Sequence, residues 1–583
     1  MQFHLIITLV AAVIQGTGAS KAKTLRLNGW YPCADNTFSD AGSSNSVSAE
    51  CAIYVAPLCY PGICKTPQFA DPNVNIFVKR MLATKGDTMT ATNVWLLQGG
   101  PGDVEGSMIA LHTELKGAAN IYTMDHRGTG RSTFLDCVAA QATTTGSPDG
   151  SIIKPSEVPA CAQALENEYG DLASFSVTSA ATDVVTFISK FTNGASTVVY
   201  GTSYGTVLVE RIIHLNPPEV TGYILDGVAT ASGASADKFY YISEWDANFG
   251  EVGDYFLSLC NKVSSCNAHF KKPTTLQKTL QKVLKSFDKH PNSTCAAIIS
   301  NIEVSLPKPT PSTKLRYMLG QMLPDQDLRK FIPPVVYRLN CCDKNDIEVL
   351  TQFINGLAQT LSTPAQEEAF YSFLLYSLVV FSEMWETPQP SMSVMKSRFN
   401  SYGISYGTYW MQPLYCAFSK EKSPACDKLG YDDYAANGII YERDEYWNKS
   451  ATIPKQASVL ILSSKLDAQT NHKYAEYLLE ALDGNKKELV TFEYSVHGAL
   501  MSTQVTSDDH SSPTCGAKIV ASYVSNNGDL KALDKSCVDD MPALNLTIAE
   551  SDRIYYMSTD DAYDGVYDIN LSASPETSMS ASA

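Results

Sequence analysis

The chain has 583 residues, with 44 Lys and Arg against 61 Asp and Glu, which gives a formal net charge of −17. Hydrophobic residues make up 44% of the chain and charged residues 18%, so the composition excludes general disorder and allows a large packed core. The acidic balance provides no electrostatic footprint for nucleic acid, and we therefore expect no nucleic-acid partner.

The N-terminus has the pattern of a secretory signal. Residues 5–14 form an apolar run of ten, and small residues follow up to Ala19. Ten residues are too few to span a bilayer but suit the hydrophobic part of a signal peptide. We predict a signal peptide at residues 1–19 and a secreted, extracellular protein, with a buried N-terminal helix as the alternative. The apolar, uncharged run at residues 369–382 is also too short to span, so we expect no integral membrane segment in the mature chain.

Cysteine usage also indicates an oxidising compartment, because the chain has 15 cysteines and none lies in the predicted signal peptide. Cys295 has two candidate partners, Cys341 and Cys342, so one of these two stays unpaired. Proximity in sequence suggests further disulfides: Cys33–Cys51, Cys59–Cys64, Cys137–Cys161, Cys260–Cys266, Cys416–Cys426 and Cys515–Cys537. Asn-x-Ser/Thr sequons are typical of a secreted glycoprotein and occur at Asn292, Asn448, Asn545 and Asn570. No CxxC or CxxH pattern suggests a metal site.

Short apolar runs rich in β-branched residues alternate with helical or turn segments, which indicates an α/β fold with a mostly parallel sheet flanked by helices. These runs are residues 74–78, 94–97, 121–124, 197–200 and 223–225. Roughly 230 mainly helical residues then precede two more strand-like runs, at 459–462 and 489–492. We predict core halves at 20–227 and 416–571, a large helical cap inserted at 228–415, and a low-complexity, disordered tail at 572–583.

Residues 201–205, Gly-Thr-Ser-Tyr-Gly, fit the G-x-S-x-G pattern of a nucleophile elbow. The pattern needs a strand before it and a helix after it. The run at 197–200 supplies the strand, and apolar residues at helical spacing, ended by Asn216-Pro217, supply the helix. This context makes Ser203 the candidate nucleophile.

A second match, residues 403–407 (Gly-Ile-Ser-Tyr-Gly), lacks this context. The polar residues 396–400 before it are unsuited to a buried strand, and the aromatic residues after it lead to Pro413, which is a poor helix start. We interpret Ser405 as part of a structural turn in the cap.

A glycine-rich loop, Gln98-Gly99-Gly100-Pro101-Gly102, follows the run at 94–97. In a hydrolase of this layout, that loop and the residue after the nucleophile each supply one backbone N–H to an oxyanion. Glycine lets the backbone approach the substrate closely. We expect the N–H groups of Gly100 and Tyr204 to form the oxyanion hole, with an ordinary Gly-Pro turn as the alternative.

The acid and the base of this layout follow the nucleophile in the order Asp or Glu, then His. Asp467 comes after the run at 459–462, and His497 comes after the run at 489–492. We expect His497 to act as general base and Asp467 to orient its imidazole. The alternatives, at less suitable positions, are His472 and His510 for the base and Asp444 and Glu493 for the acid.

Several motifs together resemble the serine-peptidase family of prolyl and tripeptidyl aminopeptidases, within the α/β-hydrolase superfamily. They are the opening strand 51–58, the GGPG loop 99–102, the D-x-R-G-x-G-x-S segment 125–132, the elbow 201–205, the strand end 225–228, and the segments 459–467 and 497–498. Gln98 departs from the family, because many relatives have His at this place. We interpret Asp125 and Arg127 as residues that fix a loop.

The resemblance implies an α/β-hydrolase fold and a secreted aminopeptidase that releases N-terminal residues or short peptides through a Ser acyl-enzyme. Relatives bind the free amine of the substrate with cap carboxylates, for which Glu383 and Glu386 are the candidates, and exposed helix-end acids are the alternative reading. A secreted carboxylesterase or lipase-like hydrolase needs the same triad and remains an alternative. A third alternative is a non-catalytic binding protein on this scaffold, against which the complete triad argues. We expect a peptide or ester substrate and neither a cofactor nor a metal.

Overall fold

The computed structural model describes residues 26–35, 48–100, 105–145, 152–270, 273–304, 306–362, 371–506 and 512–572. The predicted signal peptide lies outside these residues, as does the predicted tail from residue 573 onward. Within the described part of the chain, no helix combines the length and the apolar character that crossing a bilayer requires.

The described residues contain one sheet of 10 strands. The strands are β1 (Arg26–Leu27), β2 (Tyr31–Cys33), β3 (Ala49–Pro57), β4 (Asn73–Met81), β5 (Asn93–Leu97), β6 (Asn120–Met124), β7 (Thr197–Thr202), β8 (Val220–Asp226), β9 (Ser458–Ser464) and β10 (Lys487–Phe492). Their order is β1-β3-β4-β6-β5-β7-β8-β9-β10, with β2 also paired to β3. The pairs among β1 to β4 and the pair β4–β6 are antiparallel, and all pairs from β6 to β10 are parallel. The predicted α/β class, a mostly parallel central sheet flanked by helices, is confirmed.

The apolar runs of the sequence form strands because both faces of the sheet are covered. Every residue of β5 and β6 is buried, as expected for central parallel strands. Successive side chains of a strand point to opposite faces. Trp95 and Leu97 accordingly pack into one hydrophobic cluster, and Val94 and Leu96 pack into another on the other side of the sheet.

The helices are α1 (Glu105–Glu114), α2 (Val138–Thr144), α3 (Val158–Tyr169), α4 (Val177–Phe191), α5 (Tyr204–Leu215), α6 (Trp245–Leu259), α7 (Ser264–Asn267), α8 (Leu276–Lys289), α9 (Thr294–Ser300), α10 (Pro311–Met322), α11 (Ile332–Cys341), α12 (Lys344–Ser362), α13 (Phe373–Glu383), α14 (Met392–Asn400), α15 (Gln412–Ser419), α16 (Lys473–Ala481), α17 (Ala499–Ser502), α18 (Cys515–Ser525), α19 (Glu550–Met557) and α20 (Ile569–Ser572). Helices α4 and α5 cover one face of the sheet, and α1 and α18 cover the other.

A long insertion separates β8 from β9. The chain leaves the sheet at Asp226 and returns at Ser458, and the described residues in between form helices α6 to α15 and no strand. Helices α6 and α8 to α12 enclose a hydrophobic cluster of their own. Helix α13 belongs instead to a sheet-side cluster, into which Leu375 is fully buried. The predicted cap at 228–415 falls within this insertion.

The C-terminal residues depart from the predicted organisation, which places 416–571 in the core. Leu546, Ile548 and Met557 are buried in the hydrophobic cluster of the insertion, and α19 packs against α12. Leu533 and Cys537, just beyond α18, are still buried in the sheet-side cluster of α1 and α18, whereas the buried apolar residues from Leu546 onward pack against the inserted helices.

Seven disulfides connect 14 of the cysteines, and in six of them the sequence separation is 24 residues or fewer. The six pairs suggested by proximity are confirmed, and Cys295 pairs with Cys342, which leaves Cys341 unpaired and exposed. The Cys295–Cys342 disulfide joins α9 to the end of α11 within the insertion. Closing such loops limits the freedom of the unfolded chain and so stabilises the folded one.

Candidate active site

Ser203 occupies a sharp turn between β7, which ends at Thr202, and α5, which begins at Tyr204. Its backbone has φ 54° and ψ −122°, an uncommon conformation for a residue with a side chain. The turn brings backbones so close that a Cβ at Gly201 would lie 2.2 Å from the Gly205 carbonyl oxygen. A Cβ at Gly205 would lie 2.5 Å from the Leu97 carbonyl oxygen. Both glycines of the pattern are therefore sterically required.

The glycine-rich loop after β5 lies directly against this turn. A Cβ at Gly99 would lie 2.9 Å from the Cβ of Ser203, and Gly100 lines the same cavity as Ser203. Gly100 has φ 99°, a conformation that favours glycine. Among the described residues, no acceptor receives the N–H of Gly100 or of Tyr204. Both donors predicted for an oxyanion hole are thus unoccupied next to Ser203.

Asp467 and His497 form a direct hydrogen-bonded pair. His497 Nδ1 lies 2.8 Å from Asp467 Oδ2, and the carboxylate also accepts the N–H groups of Gln469 and Thr470 at 2.9 Å each. Because Nδ1 donates to the carboxylate, the neutral ring has its lone pair on Nε2. Burial lowers the pKa of His497, but the charges of Asp467 and Asp226 and the hydrogen bond outweigh it, so the pKa is raised above its ordinary value.

Parallel strands bring these residues to one edge of the sheet. Ser203 follows β7, Asp467 follows β9 and His497 follows β10, and the carboxyl ends of parallel strands share an edge. His497 packs against the backbone after β8, where a Cβ at Gly227 would lie 2.8 Å from its Cε1. Ser203 is linked to the same strand end, because its N–H donates to the Asp226 carbonyl at 2.9 Å.

Asp226 is a residue of the site that sequence reasoning missed. Its buried carboxylate accepts the N–H groups of Ala499 and Leu500 at 2.8 Å each and the Tyr200 hydroxyl at 2.7 Å. Burial raises the pKa of Asp226, and these hydrogen bonds oppose that shift only in part. Asp226 thus holds the loop of His497 through its carboxylate and the turn of Ser203 through its carbonyl. Its position at the end of a predicted strand is the sequence feature that could have identified it.

The alternative catalytic residues lie in other surroundings. Ser405 is fully buried and donates to Asp246 Oδ1 at 3.0 Å. Asp444 pairs with Arg211. Glu493 pairs with Lys465, and His472 immediately precedes α16. His510 lies outside the described residues.

Glu383 and Glu386, the predicted amine-binding residues, are both engaged by arginines. Glu383 is buried, pairs with Arg211 at 2.8 Å and accepts the Tyr441 hydroxyl at 2.8 Å. Glu386 pairs with Arg398 at 2.5 Å. A carboxylate that an arginine already neutralises attracts a substrate ammonium only weakly, so neither contact favours the predicted role.

A cavity of about 410 Å³ opens at Ser203. This volume is within the range of small-molecule sites. Among the described residues, no charged side chain lines the cavity, and aromatic rings dominate its walls: Tyr240, Trp245, Phe373, Tyr376, Tyr406 and Trp410. Its walls come from α13, from the loop before α15 and from the segment after β8. The inserted helices therefore decide which groups fit next to Ser203.

A smaller cavity of about 20 Å³ adjoins it and contains a second missed residue, Glu210. Ala229, Tyr240 and Met384 line both cavities. Burial raises the pKa of Glu210 to about 7, and its Oε1 has no hydrogen-bond partner, the neutral His214 ring being 3.9 Å away. The sequence signal for Glu210 was its spacing from Ser203. A residue seven positions further along a helix lies two turns on, on the same face.

The segment 125–132 holds the adjoining loops, as its interpretation from sequence suggests. Arg127 is buried and pairs with Asp183 at 2.7 Å, and Asp125 pairs with Arg131 at 2.7 Å. His126 Nε2 lies 2.9 Å from the Tyr204 hydroxyl, and burial lowers the pKa of His126 to about 4. The segment thus contacts the residue after Ser203 through a neutral histidine.

Comparison with known proteins gives remote similarities of fold. No protein-family model matches the chain, and no curated protein sequence matches it. Among solved structures, an esterase from Exiguobacterium antarcticum is 12% identical, with coverage of 74% of this chain and 92% of that one and a TM-score of 0.28. A proline iminopeptidase from Mycobacterium smegmatis is 10% identical, with coverage of 80% and 98% and a TM-score of 0.27. We therefore base the functional assignment on the geometry of the site.

Proposed function

We propose that the chain is a secreted serine hydrolase that transfers an uncharged acyl group to Ser203 and then to water. The observation that carries this proposal is the position of Ser203, on a strained turn in the lining of an uncharged aromatic cavity. The hydrogen-bonded pair of Asp467 and His497 at the same sheet edge supports it. The seven disulfides and the signal peptide predicted from the sequence support secretion.

The residues suggest a two-step acyl transfer. Ser203 Oγ attacks the acyl carbon while His497 Nε2 accepts its proton, and the resulting oxyanion accepts the N–H groups of Gly100 and Tyr204. His497 returns the proton to the leaving alcohol or amine as the bond to the acyl carbon breaks. A water then attacks the acyl-enzyme with the same base, which releases the acid and restores the Ser203 hydroxyl.

The lining of the large cavity favours an ester or a blocked amide over a substrate with a free amine. A charged ammonium that enters a cavity without a counter-ion loses its hydration and gains no ion pair. An uncharged acyl group has no such cost. We therefore place carboxylic ester hydrolysis first among the two activities that the sequence suggests.

Aminopeptidase activity is the second candidate, and Glu210 is the observation that favours it. The small cavity has room for one water-sized group and contains the unpartnered Oε1 of Glu210. An ammonium placed there would pair with Glu210 and draw it into its ionised form. Arg211 and Glu383 line the same cavity, but they pair with each other and so add no net charge that would repel the ammonium. The acyl group of the same substrate would extend into the large cavity, because the two cavities share three lining residues.

Two experiments test the proposal. A serine-directed phosphonate followed by peptide mass spectrometry is expected to modify Ser203, and modification of Ser405 with Ser203 spared would contradict the assignment. A substrate panel should compare aryl and short-chain esters, N-blocked aminoacyl anilides and free-amine aminoacyl anilides. We expect kcat/KM to be higher for esters and N-blocked substrates than for free-amine substrates.

A preference for free amines would make aminopeptidase the activity, and Glu210→Gln then tests the amine site. Loss of a charge-assisted hydrogen bond should lower kcat/KM for free-amine substrates about 10- to 150-fold and leave ester hydrolysis unchanged. Glu386→Gln is the matched control, because Glu386 pairs with Arg398 and lines neither cavity.

A further inference from the structure

The large cavity has two chemically different ends along α13. Phe373, Tyr376, Val380 and Met384 line it at intervals that place them on one face of the helix. Met384 also lines the small cavity of Glu210. Tyr376 precedes Met384 by eight residues, which corresponds to about 12 Å along a helix axis. One end of the cavity therefore adjoins a carboxyl group, and the other end is formed by phenols and other aromatic rings.

The phenolic end is built from rings that support one another. The ring centroids of Tyr371 and Tyr376 lie 6.2 Å apart, and Phe373 stacks on Tyr376 with a centroid distance of 5.9 Å and an interplanar angle of 25°. Phe373 also stacks on Trp410 at 6.4 Å and 12°. Tyr406, from the loop before α15, is the third phenol of this end. These rings offer flat apolar surface to a flat apolar group.

Two of the three phenol hydroxyls have no protein partner. Among the described residues, no hydrogen bond is made by the hydroxyl of Tyr371 or of Tyr376, although both residues line the cavity. Both tyrosines are half-buried, and their hydroxyls are accessible from the cavity that they line. Each hydroxyl can donate one hydrogen bond and accept others. A bound molecule with a neutral polar group at this end would satisfy them.

The surroundings disfavour a charged group here. Burial raises the pKa of Tyr371, Tyr376 and Tyr406. Tyr376 and Tyr406 also oppose ionisation of Tyr371, and Tyr406 opposes ionisation of Tyr376. The same poor solvation penalises a bound carboxylate. A bound cation would have aromatic faces but, among the described lining residues, no carboxylate.

We propose that the acyl pocket recognises an uncharged aromatic acyl group that carries a neutral hydrogen-bonding substituent, such as a hydroxyl, and that Tyr371 and Tyr376 bind this substituent. The proposal rests on the proposed function of Ser203 for the acyl transfer itself. The aromatic rings select the flat apolar body of the acyl group, and the two hydroxyls select its polar end. Tyr371 and Tyr376 are thus specificity-determining residues of the reaction.

One series of substrates on a common scaffold tests the proposal. The wild-type protein is assayed with 4-methylumbelliferyl esters of 3-phenylpropanoic acid whose ring carries hydrogen, a hydroxyl, a carboxylate or a trimethylammonium group. The hydroxyl is placed at the 3- and at the 4-position in separate esters. We expect the highest kcat/KM for a hydroxyl ester and the lowest for the two charged esters. A preference for either charged ester would overturn the proposal.

Variants then assign the preference to residues. Tyr376→Phe and Tyr371→Phe retain the rings and remove the hydroxyls, so each should lower the ratio of hydroxyl-ester to unsubstituted-ester kcat/KM about three- to tenfold. Tyr241→Phe is the matched control, because Tyr241 is outside the cavity lining and should leave the ratio unchanged. A ratio that neither cavity variant changes would also overturn the proposal.

A binding measurement separates this proposal from the proposed reaction. Trp245 and Trp410 line the cavity, so quenching of tryptophan fluorescence reports occupancy in the Ser203→Ala variant without any turnover. The probe is methyl 3-(4-hydroxyphenyl)propanoate. In one outcome the protein binds the probe and Tyr376→Phe weakens that binding, while the wild type hydrolyses none of the esters. This result would support the pocket assignment and refute the hydrolase. Hydrolysis of all the esters at similar kcat/KM would support the hydrolase and refute the pocket assignment. A protein that neither binds the probe nor hydrolyses the esters would refute both proposals.

Discussion

The pattern Gly-x-Ser-x-Gly occurs twice in this chain, at residues 201–205 and at residues 403–407. In the first copy a buried parallel strand ends and a helix begins, and Ser203 takes a positive φ and lines the cavity. In the second copy the residues lie in a loop between α14 and α15, and Ser405 is fully buried against Asp246. The same five-residue pattern thus gives an accessible hydroxyl in one place and a structural hydrogen bond in the other.

The glycines differ in the same way. At Gly201 an added Cβ would meet a backbone oxygen at 2.2 Å, whereas at Gly403 it would meet the Cδ2 of Leu280 at 2.8 Å. A backbone oxygen inside a sheet-to-helix turn has little freedom to move, but the end of a leucine side chain can rotate away. The strand before the pattern, and not the glycine spacing, therefore gives Ser203 its position in the cavity lining.

The largest effect is expected for Ser203→Ala. If Ser203 is the nucleophile, its removal should lower kcat on the order of 10⁴- to 10⁶-fold, while circular dichroism and the denaturation midpoint stay unchanged. The measurement is ester hydrolysis under single-turnover and steady-state conditions. Residual turnover close to the wild-type rate in a folded Ser203→Ala protein would break the distinction between the two copies.

The next effect is that of Asp467→Asn, since among the described residues the first copy has an Asp–His pair at the same sheet edge and the second has none. We expect kcat to fall about 10⁴-fold, because Asn stabilises neither the required tautomer nor the imidazolium. The protonated imidazole is not a base, so activity rises with pH as His497 loses its proton. In the wild type this rise should be centred above the ordinary imidazole pKa of about 6.5, because Asp467 raises the pKa of His497.

The pH profile of the residual activity provides the decisive control. Loss of the Asp467 charge should shift the rise to lower pH in Asp467→Asn. An unchanged midpoint in this variant would show that another group titrates. Burial lowers the pKa of His497 more than the charge of Asp226 raises it, so in this variant the midpoint should fall below the ordinary imidazole value.

Alanine substitution of the first glycine of each copy, Gly201 or Gly403, should also distinguish the two copies, with smaller effects than those above. Gly201→Ala must displace the turn of Ser203, and we expect a loss of about 3 kcal/mol in the free energy of unfolding together with a marked loss of kcat. Gly403→Ala should cost about 1 kcal/mol or less and leave kcat unchanged, because Leu280 can repack. Chemical denaturation and ester hydrolysis measure both quantities. Equal effects of the two substitutions would contradict the steric explanation.

The features that the sequence predicts are those that depend on neighbouring residues. The elbow needs only the apolar run before Ser203 and the helical spacing after it, and the disulfides join cysteines that are close in the chain. The order of the acid and the base along the chain led to Asp467 and His497 because parallel strands end at a common edge. Local patterns and one topological rule were therefore sufficient for these residues.

The features that it does not predict depend on which distant elements pack together. Asp226 holds the N–H groups of Ala499 and Leu500, more than 270 residues later in the chain. Glu383 meets Arg211 across 172 residues, which neutralises the carboxylate expected to bind an amine. No periodicity reports such pairings, because helical and strand patterns show which face is buried and not what covers it.

The smallest effect is expected for Ser405→Ala. The Ser405 hydroxyl donates to Asp246 Oδ1, and that carboxylate retains the N–H groups of Gly407 at 2.6 Å and Tyr409 at 3.3 Å when the hydroxyl is removed. The substitution should therefore lower the free energy of unfolding by about 1–2 kcal/mol and leave kcat unchanged. Tyr406 and Thr408 of the same loop line the cavity. Because the substitution loosens this loop, we expect a small rise in KM. A loss of kcat without a loss of stability would instead assign Ser405 a part in the chemistry, and the two copies of the pattern would no longer differ in role.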